Sequence, residues 1–219
     1  MTPTQQMFLG MGASPTKSYV DDVFSTYVYN GTGSAKSINN GIDLAGKGGM
    51  TWIKRRNGSS DQVTNDTVRG AGEALMTNNS NANETGRTDF LSSFNSNGFS
   101  IGTDNYVNSN GSPYASWSFR KAKGFFDIVT YTGNGSNRTI SHSLGCVPGM
   151  IMVKRLGAQD NWVVYHRGNG NYSTVSAAHY NIRLDSTNGR QNSASRFNDT
   201  EPTASVFSVG TDGGVNDNG

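Results

Sequence analysis

Short apolar runs that alternate with polar residues recur along the chain, and turns rich in Gly, Asn and Ser separate them. In residues 114–119, for example, Ala115, Trp117 and Phe119 occupy every second position, which is typical of a strand that buries one face. Further strands are predicted at 125–131, 150–154, 162–166, 180–184 and 206–209. Residues 68–78 favour a helix, but the glycines at 70 and 72 weaken that pattern. The chain is therefore predicted to be all-β.

The chain contains an internal duplication. The sequence FSIGTDNYVNSNG at 99–111 returns as FSVGTDGGVNDNG at 207–219, with nine identities in thirteen positions at a separation of 108 residues (207 − 99). Upstream, residues 24–38 match 126–140 at a separation of 102, and residues 49–55 match 149–155 at a separation of 100. A separation that drifts in this way is expected when loops of different length join matching strands.

Two tandem β-sandwich-like modules of roughly a hundred residues each follow from this duplication. We predict a short N-terminal arm at 1–18, a first β module at 19–120 and a second at 121–219. Short strands at regular spacing, joined by Gly-Asn turns, are typical of such sandwiches.

The second copy ends at the counterpart of Gly111, so it lacks a counterpart of the strand predicted at 114–119. An empty position in a sheet would leave N–H and C=O groups unpaired, and folded proteins avoid such edges. We therefore expect the gap to be filled. Two sources are open: the natural chain continues past Gly219, or a neighbouring subunit donates the strand.

The N-terminal arm carries large apolar residues in a segment too irregular for a helix or strand. Exposed apolar residues usually need a partner, so the arm is interpreted as a peptide that docks on another protein, with a disordered terminus as the alternative. The residues predicted to dock are Met7, Phe8, Leu9 and Met11.

Composition excludes several classes of protein. No apolar run reaches the roughly twenty residues that a membrane-spanning helix needs, and no secretory signal is visible. The formal net charge is +2 and no coherent basic face is apparent, which disfavours nucleic-acid binding. The lone Cys146 excludes an internal disulfide and a cysteine zinc site.

No catalytic apparatus is visible, since the chain has neither a Gly-x-Ser-x-Gly elbow nor a phosphate-binding loop. The histidines His142, His166 and His179 are scattered and are interpreted as structural or surface residues. The chain is therefore predicted not to be an enzyme and to hold no metal or cofactor.

Asp104 and Asp212 occupy equivalent positions after Gly-Thr in the two copies, where an aspartate most simply caps a turn. A weak calcium site with Asn108 and Asn216 is the alternative, although two oxygens are few for a hard cation.

Aromatic residues offer one candidate ligand contact. Trp52, Trp117 and Trp162 lie inside predicted strands and are expected in the core, whereas Tyr172 lies in a loop rich in Gly and Asn. Tyr172 is the more plausible exposed residue for stacking on a sugar.

Five segments resemble virion proteins of tailed phages from marine bacteria: QQMFLG at 5–10, YVDDVFSTY at 19–27, WSFRKAKGFFD at 117–127, ISHSLG with PG at 140–149, and NWVVYH at 161–166. The resemblance extends over nearly the whole chain and carries no catalytic motif. It implies a tail-fibre type of protein whose modules continue past the Gly-Thr-Asp-x-x-Val-Asn block into another strand.

On this resemblance we expect a virion structural protein, forming the virion-proximal part of a tail fibre that attaches to the tail and supports host adsorption. The arm would bind a tail or capsid protein, the modules would form a homotrimer, and the partner on the host would be a cell-surface glycan. The alternatives are a capsid decoration or head-fibre protein, and a carbohydrate-binding module or depolymerase.

Overall fold

The computed structural model describes residues 19–170 and 175–218. In that part of the chain fourteen strands form four antiparallel sheets, and no helix is longer than four residues. The prediction of an all-β protein is therefore confirmed. None of these helices has the length and apolar character needed to cross a membrane.

The first repeat consists of eight strands and three short helices. The strands are β1 (Phe24–Asn30), β2 (Lys36–Asn39), β3 (Gly49–Arg55), β4 (Val63–Asp66), β5 (Gly70–Met76), β6 (Leu91–Asn95), β7 (Gly98–Ile101) and β8 (Pro113–Arg120). The helices are α1 (Val20–Val23), α2 (Leu44–Lys47) and α3 (Asn105–Asn108). One sheet has the order β1-β8-β3-β4-β5 and the other has the order β2-β7-β6. The last strand in sequence, β8, thus lies between β1 and β3.

An apolar core lies between these two sheets. Ile53 comes from the five-stranded sheet, Ile38 and Phe99 come from the three-stranded sheet, and all three are buried. Tyr114 of β8 is fully buried and stacks on Tyr29 of β1, with 5.2 Å between the ring centroids. The strand β8 therefore supplies a core side chain in addition to backbone pairing.

Asn108, at the end of α3, shows what the repeated Gly-Thr-Asp-x-x-Val-Asn sequence does in the fold. Its buried side chain accepts a hydrogen bond from the Thr32 N–H at 2.8 Å and donates to the carbonyl oxygens of Ser34 and Gly102, each at 2.7 Å. Asp104 caps the N-terminus of α3. The motif therefore joins the loop after β1 to the loop after β7.

The second repeat has part of the same arrangement of strands and helices. Its strands are β9 (Arg138–Ser141), β10 (Met150–Val153), β11 (Val163–His166), β12 (Tyr180–Arg183), β13 (Gln191–Asn192) and β14 (Val206–Val209). Its α-helices are α4 (Ala194–Phe197) and α5 (Gly213–Asn216), and short 3-10 turns cover Arg167–Asn169 and Ala177–His179. One sheet has the order β10-β11-β12-β13, and β14 pairs with β9 in another.

The contacts of Asn108 recur at Asn216. The Asn216 side chain accepts from the Asn134 N–H at 3.1 Å and donates to the carbonyl oxygens of Ser136 and Gly210, each at 2.7 Å. A separate apolar core surrounds this site, and it contains buried residues of β9, β14 and α5. The prediction of two tandem β modules is confirmed at the level of the fold.

Hydrogen bonds join the two repeats. The buried Trp162 donates its indole N–H to the carbonyl oxygen of Met76 at 2.8 Å. The carbonyl oxygen of Ser80 accepts from the N–H of Asp160 at 2.9 Å and from the ammonium group of Lys154 at 3.3 Å. Because the atoms involved come from β5 and the loop after it, the second repeat is anchored to the sheet of the first.

The strand predicted at 125–131 is wrong. These residues form no strand in the structure, and the backbone there makes a single isolated bridge, between Ala122 and Phe126. The counterpart of this segment in the first repeat is β1, which pairs only with β8. The described part of the second repeat has no equivalent of β8, so residues 126–132 have no strand to pair with.

The helix predicted at residues 68–78 is also absent, because β5 occupies Gly70–Met76 and pairs with β4.

Of the three tryptophans expected in the core, Trp162 is buried, whereas Trp52 and Trp117 are half-buried. Trp52 and Trp117 lie opposite each other on β3 and β8 and pack edge to face at 6.3 Å.

Candidate functional site

Two connections that differ between the repeats pack against each other in the second repeat. Residues 167–179 join β11 to β12, whereas only residues 67–69 join the equivalent β4 and β5. Residues 198–205 form a loop before β14, where the first repeat has β6 and its turn into β7. The shared fold requires neither change. We therefore take the surface formed by residues 165–170, 175–180, 190 and 198–201, named the second-repeat tip, as the candidate site.

Glu201 lies at the centre of the tip and accepts several hydrogen bonds. The hydroxyls of Tyr165 and Ser176 donate to its carboxylate at 2.5 and 2.6 Å, and the Ala178 N–H donates at 3.3 Å. Burial opposes ionisation of Glu201, but these donors outweigh that effect and hold its pKa below the usual value. Burial, together with the bond to Glu201, raises the pKa of the Tyr165 phenol. At neutral pH the carboxylate is therefore ionised and the phenol protonated.

His179 and Asp199 form a second polar pair in the tip. The Nδ1 atom of His179 lies 2.7 Å from the Asp199 carboxylate. Asn198 and Asp199 both have left-handed backbone conformations, with φ values of 53° and 47°. Such conformations are uncommon for residues other than glycine and cost free energy. The loop thus holds a carboxylate against the imidazole in spite of its backbone strain.

An aromatic ring and a cation complete the tip. The Tyr180 ring packs edge to face on the His179 imidazole at 5.1 Å, and the Arg190 guanidinium lies 3.9 Å from the centre of the same Tyr180 ring. Arg190 also donates to the carbonyl oxygen of Asn169 at 2.5 Å. The ring and the cation stabilise each other through a cation–π contact.

The chemistry of the tip suits hydrogen bonding more than catalysis. Imidazole, carboxylate, guanidinium and hydroxyl groups lie here beside the Tyr165 and Tyr180 rings and bond to one another. The Ser176 hydroxyl donates to Glu201, so it is not paired with His179 as a nucleophile would be with its base. Among residues 19–170 and 175–218, no cluster of three or more His, Cys, Asp or Glu side chains could hold a metal ion.

The residues selected from the sequence lie mostly elsewhere. Tyr172 lies outside the described residues. The predicted docking residues Met7, Phe8, Leu9 and Met11 also lie outside the described residues.

Asp104 and Asp212 act as helix caps, as the simpler interpretation of the sequence proposed. Each carboxylate also pairs with an arginine, Asp104 with Arg87 at 3.0 Å and Asp212 with Arg196 at 3.4 Å. In each carboxylate one oxygen accepts a backbone N–H of the helix and the other pairs with the arginine, so both residues stabilise the fold.

Sequence reasoning missed Glu201 and Asp199, and it treated His179 only as a structural or surface residue. One signal was present, because the separation of matching residues grows from 100 at 49–55 to 108 at 99–111. That growth places extra residues of the second copy between β10 and β14, where the tip lies.

Comparison with known protein families identifies a match over most of the chain. A family model, described as a domain of unknown function (DUF7483), covers residues 20–219, and so it includes both repeats, their junction and the tip. No curated protein and no solved structure matches the chain.

Proposed function

This chain belongs to the DUF7483 family, whose function is unknown, and we propose that it is a structural protein of a tailed-phage virion. In this proposal it forms the virion-proximal part of a tail fibre, attaches to the tail through its N-terminal arm and supports adsorption to the host. The segments at 5–10, 19–27, 117–127, 140–149 and 161–166 that resemble phage virion proteins support the assignment.

The observation that carries this proposal is the hydrogen-bonded junction between the repeats. Trp162 is 6% exposed and anchors the second repeat to β5, and Asp160 and Lys154 bind the carbonyl oxygen of Ser80. Repeats joined by such contacts make a stiff spacer, unlike repeats on a flexible linker. A stiff tandem array is suited to holding a distal surface away from a particle.

Adhesion would then depend on multiplicity. We propose a homotrimer, because closed symmetry presents several equal surfaces in one direction. Three copies of the second-repeat tip per fibre would convert weak contacts with a surface glycan into lasting attachment through effective concentration. No catalytic step belongs to this role.

The test is the location of the chain in purified particles. Cryo-electron microscopy is expected to place three copies around each tail-fibre axis, with Met7, Phe8, Leu9 and Met11 buried against a tail protein. A chain that lacks residues 2–18 is expected to fold with an unchanged melting temperature but to be absent from particles. Normal incorporation of that truncated chain would contradict the docking role.

The same cryo-electron microscopy map distinguishes a tail fibre from the nearest alternative, which is a capsid decoration or head-fibre protein. Density on the capsid lattice would favour that role and would exclude the tail fibre.

A carbohydrate-binding module is a second candidate, and the polar and aromatic groups of the tip favour it. Binding to a glycan array that is lost in Tyr172→Ala and retained in Tyr27→Ala would support it, since Tyr27 is exposed on β1 of the other repeat. A depolymerase would in addition have to release reducing sugar from the polysaccharide. Absence of glycan binding by the wild-type chain would remove both versions.

A further inference from the structure

The chain contains nine Asn-Gly pairs, a dipeptide in which the asparagine readily loses its side-chain amide. In this reaction the main-chain nitrogen of the glycine attacks the side-chain carbonyl carbon, Cγ, of the asparagine. Glycine favours the attack because it has no Cβ atom to hinder the approach. The fold decides which pairs react, since the attacking nitrogen has to be free of other bonds.

Four of these glycines have their N–H groups bound within the fold. Gly31, Gly111 and Gly135 donate to backbone carbonyl oxygens at 2.8, 3.0 and 2.8 Å. Gly41 donates to the side-chain oxygen of Asn97 at 2.9 Å. Each bond has to open before the nitrogen can attack, so these pairs are protected in the folded chain.

Two exposed pairs lack this protection. Asn57-Gly58 lies in the loop between β3 and β4, and Asn188-Gly189 lies in the loop between β12 and β13. Within residues 19–170 and 175–218, neither the Gly58 N–H nor the Gly189 N–H has a hydrogen-bond acceptor. The backbone at both pairs can therefore rearrange without losing a bond at the attacking nitrogen.

Arg55 distinguishes Asn57 from the other exposed asparagine. Its Nε–H donates to Oδ1 of Asn57 at 2.9 Å, and this oxygen becomes negatively charged when Cγ is attacked. The guanidinium also lies beside Gly58, since a Cβ atom there would be 3.5 Å from Nε and 3.8 Å from Cζ of Arg55. A cation thus already contacts the reacting group.

The pair Asn188-Gly189 has no such donor. Arg190 follows it directly in sequence, but the Arg190 guanidinium lies 3.9 Å from the centre of the Tyr180 ring and donates to the carbonyl oxygen of Asn169. This second pair therefore serves as an internal reference with the same dipeptide and a similar exposure.

We propose that Asn57-Gly58 is a site of spontaneous deamidation, at which Arg55 accelerates the loss of the Asn57 side-chain amide. The Gly58 nitrogen forms a bond to Cγ, the bond from Cγ to Nδ2 breaks, and ammonia leaves with the proton of the Gly58 N–H. A water molecule then opens the five-membered imide at one of its two carbonyl carbons, which gives aspartate or isoaspartate. The bond from Arg55 strengthens as Oδ1 becomes an oxyanion, so it lowers the barrier.

The reaction changes both charge and backbone at the end of β3. The product carries a carboxylate beside Arg55, and the formal net charge falls from +2 to +1 (+2 − 1). Isoaspartate in addition inserts one carbon atom into the main chain of the loop. The carbonyl oxygens of Gly58 and Ser60 in this loop accept from the Lys54 ammonium at 3.2 and 2.6 Å, so the lengthened loop has to rearrange around Lys54.

The test follows deamidation of the full chain at mildly alkaline pH and physiological salt. Tryptic peptides 57–69 and 184–190 report Asn57 and Asn188 separately by mass spectrometry. Asn57 is expected to react about fivefold faster than Asn188, which is the effect of one hydrogen bond on a rate. In the chain unfolded in urea the two rates are expected to be nearly equal, because the bond from Arg55 is then lost.

Two matched variants test the role of Arg55. Arg55→Met is expected to slow the reaction of Asn57 by about fivefold and to leave that of Asn188 unchanged. Arg56→Met is the control and is expected to keep the wild-type rate, because Arg56 is exposed and its side chain makes no hydrogen bond to Asn57 in the structure. Circular dichroism establishes that each variant is folded.

Three results would overturn the proposal. One is an equal rate at Asn57 and Asn188 in the folded wild-type chain, which requires no variant. The second is a fivefold excess at Asn57 that persists in urea, since sequence alone would then cause it. The third is a rate at Asn57 in folded Arg55→Met that equals or exceeds the wild-type rate.

Discussion

The side chain of Asn108 is predicted to be among the most important single contributors to the stability of the first repeat. Replacing it by alanine removes one accepted and two donated hydrogen bonds, all between 2.7 and 2.8 Å, from a residue that is 0% exposed. The Thr32 N–H and the Gly102 carbonyl oxygen would lose their bonds to the side chain. The Ser34 carbonyl oxygen keeps a bond from the Thr32 hydroxyl at 3.0 Å.

A buried polar group left without a partner costs about 1–3 kcal/mol, and a hydrogen bond whose partner is replaced costs about 1 kcal/mol. Because Thr32 is exposed, only the Gly102 carbonyl oxygen is a group of the first kind, and the other two bonds are of the second kind. Together they give a loss of about 3–5 kcal/mol in the free energy of unfolding. For a chain of this size, about 1 kcal/mol shifts Tm by roughly 2–4 °C, so a decrease of about 6 °C or more is expected.

The assay is differential scanning calorimetry with urea unfolding at the same pH. The control is Asn105→Ala, since Asn105 is exposed on the same helix and its loss is expected to change stability by less than about 0.5 kcal/mol. A Tm for Asn108→Ala that equals that of Asn105→Ala would show that the motif is not the structural joint inferred from its contacts.

Three further predictions concern the fold, the junction and the tip. Gly31→Ala places a Cβ atom 2.2 Å from a backbone oxygen and is expected to lower Tm by several degrees, while Gly157→Ala, with no atom within 4 Å of its Cβ, leaves Tm nearly unchanged. Trp162→Phe removes the hydrogen bond to β5 and is expected to separate the unfolding of the two repeats into distinct calorimetric transitions, whereas a single unchanged transition would contradict the anchoring role. Because hydrogen bonds hold the pKa of Glu201 below its usual value, its ionised form stabilises the fold above the unfolded-state pKa and that contribution is lost as pH falls through the folded pKa. The Tm difference between wild type and Glu201→Gln, followed by circular dichroism, is therefore expected to be largest near neutral pH and to vanish in acid.

Alternation and turn signals predict five of the fourteen strands in the described residues. The runs at 114–119, 150–154, 162–166, 180–184 and 206–209 correspond to β8, β10, β11, β12 and β14 within one or two residues. Each of these strands has a hydrogen-bonded neighbour in the structure, so local pattern and tertiary pairing agree.

The predictions of secondary structure fail where pairing between strands, and not the local sequence pattern, decides the conformation. Residues 125–131 have the pattern of a strand but lack a neighbour, and residues 68–78 have a weak helical pattern but lie beside β4. The tip could not be assembled from sequence, because Tyr165, Ser176 and Glu201 meet only through two loops whose conformations no periodicity encodes.

The position of β8 explains several differences between the repeats. Because this strand lies between β1 and β3, β1 is hydrogen-bonded to the rest of its sheet only through β8. The first repeat contains β8, and there Phe24–Asn30 is a strand and Ile53 is fully buried. The second repeat has no equivalent in its described part, and there residues 127–132 form no strand. Pairing with β8 thus accounts for the strand at Phe24–Asn30, and the lack of such pairing among the described residues accounts for the failed strand prediction at 125–131.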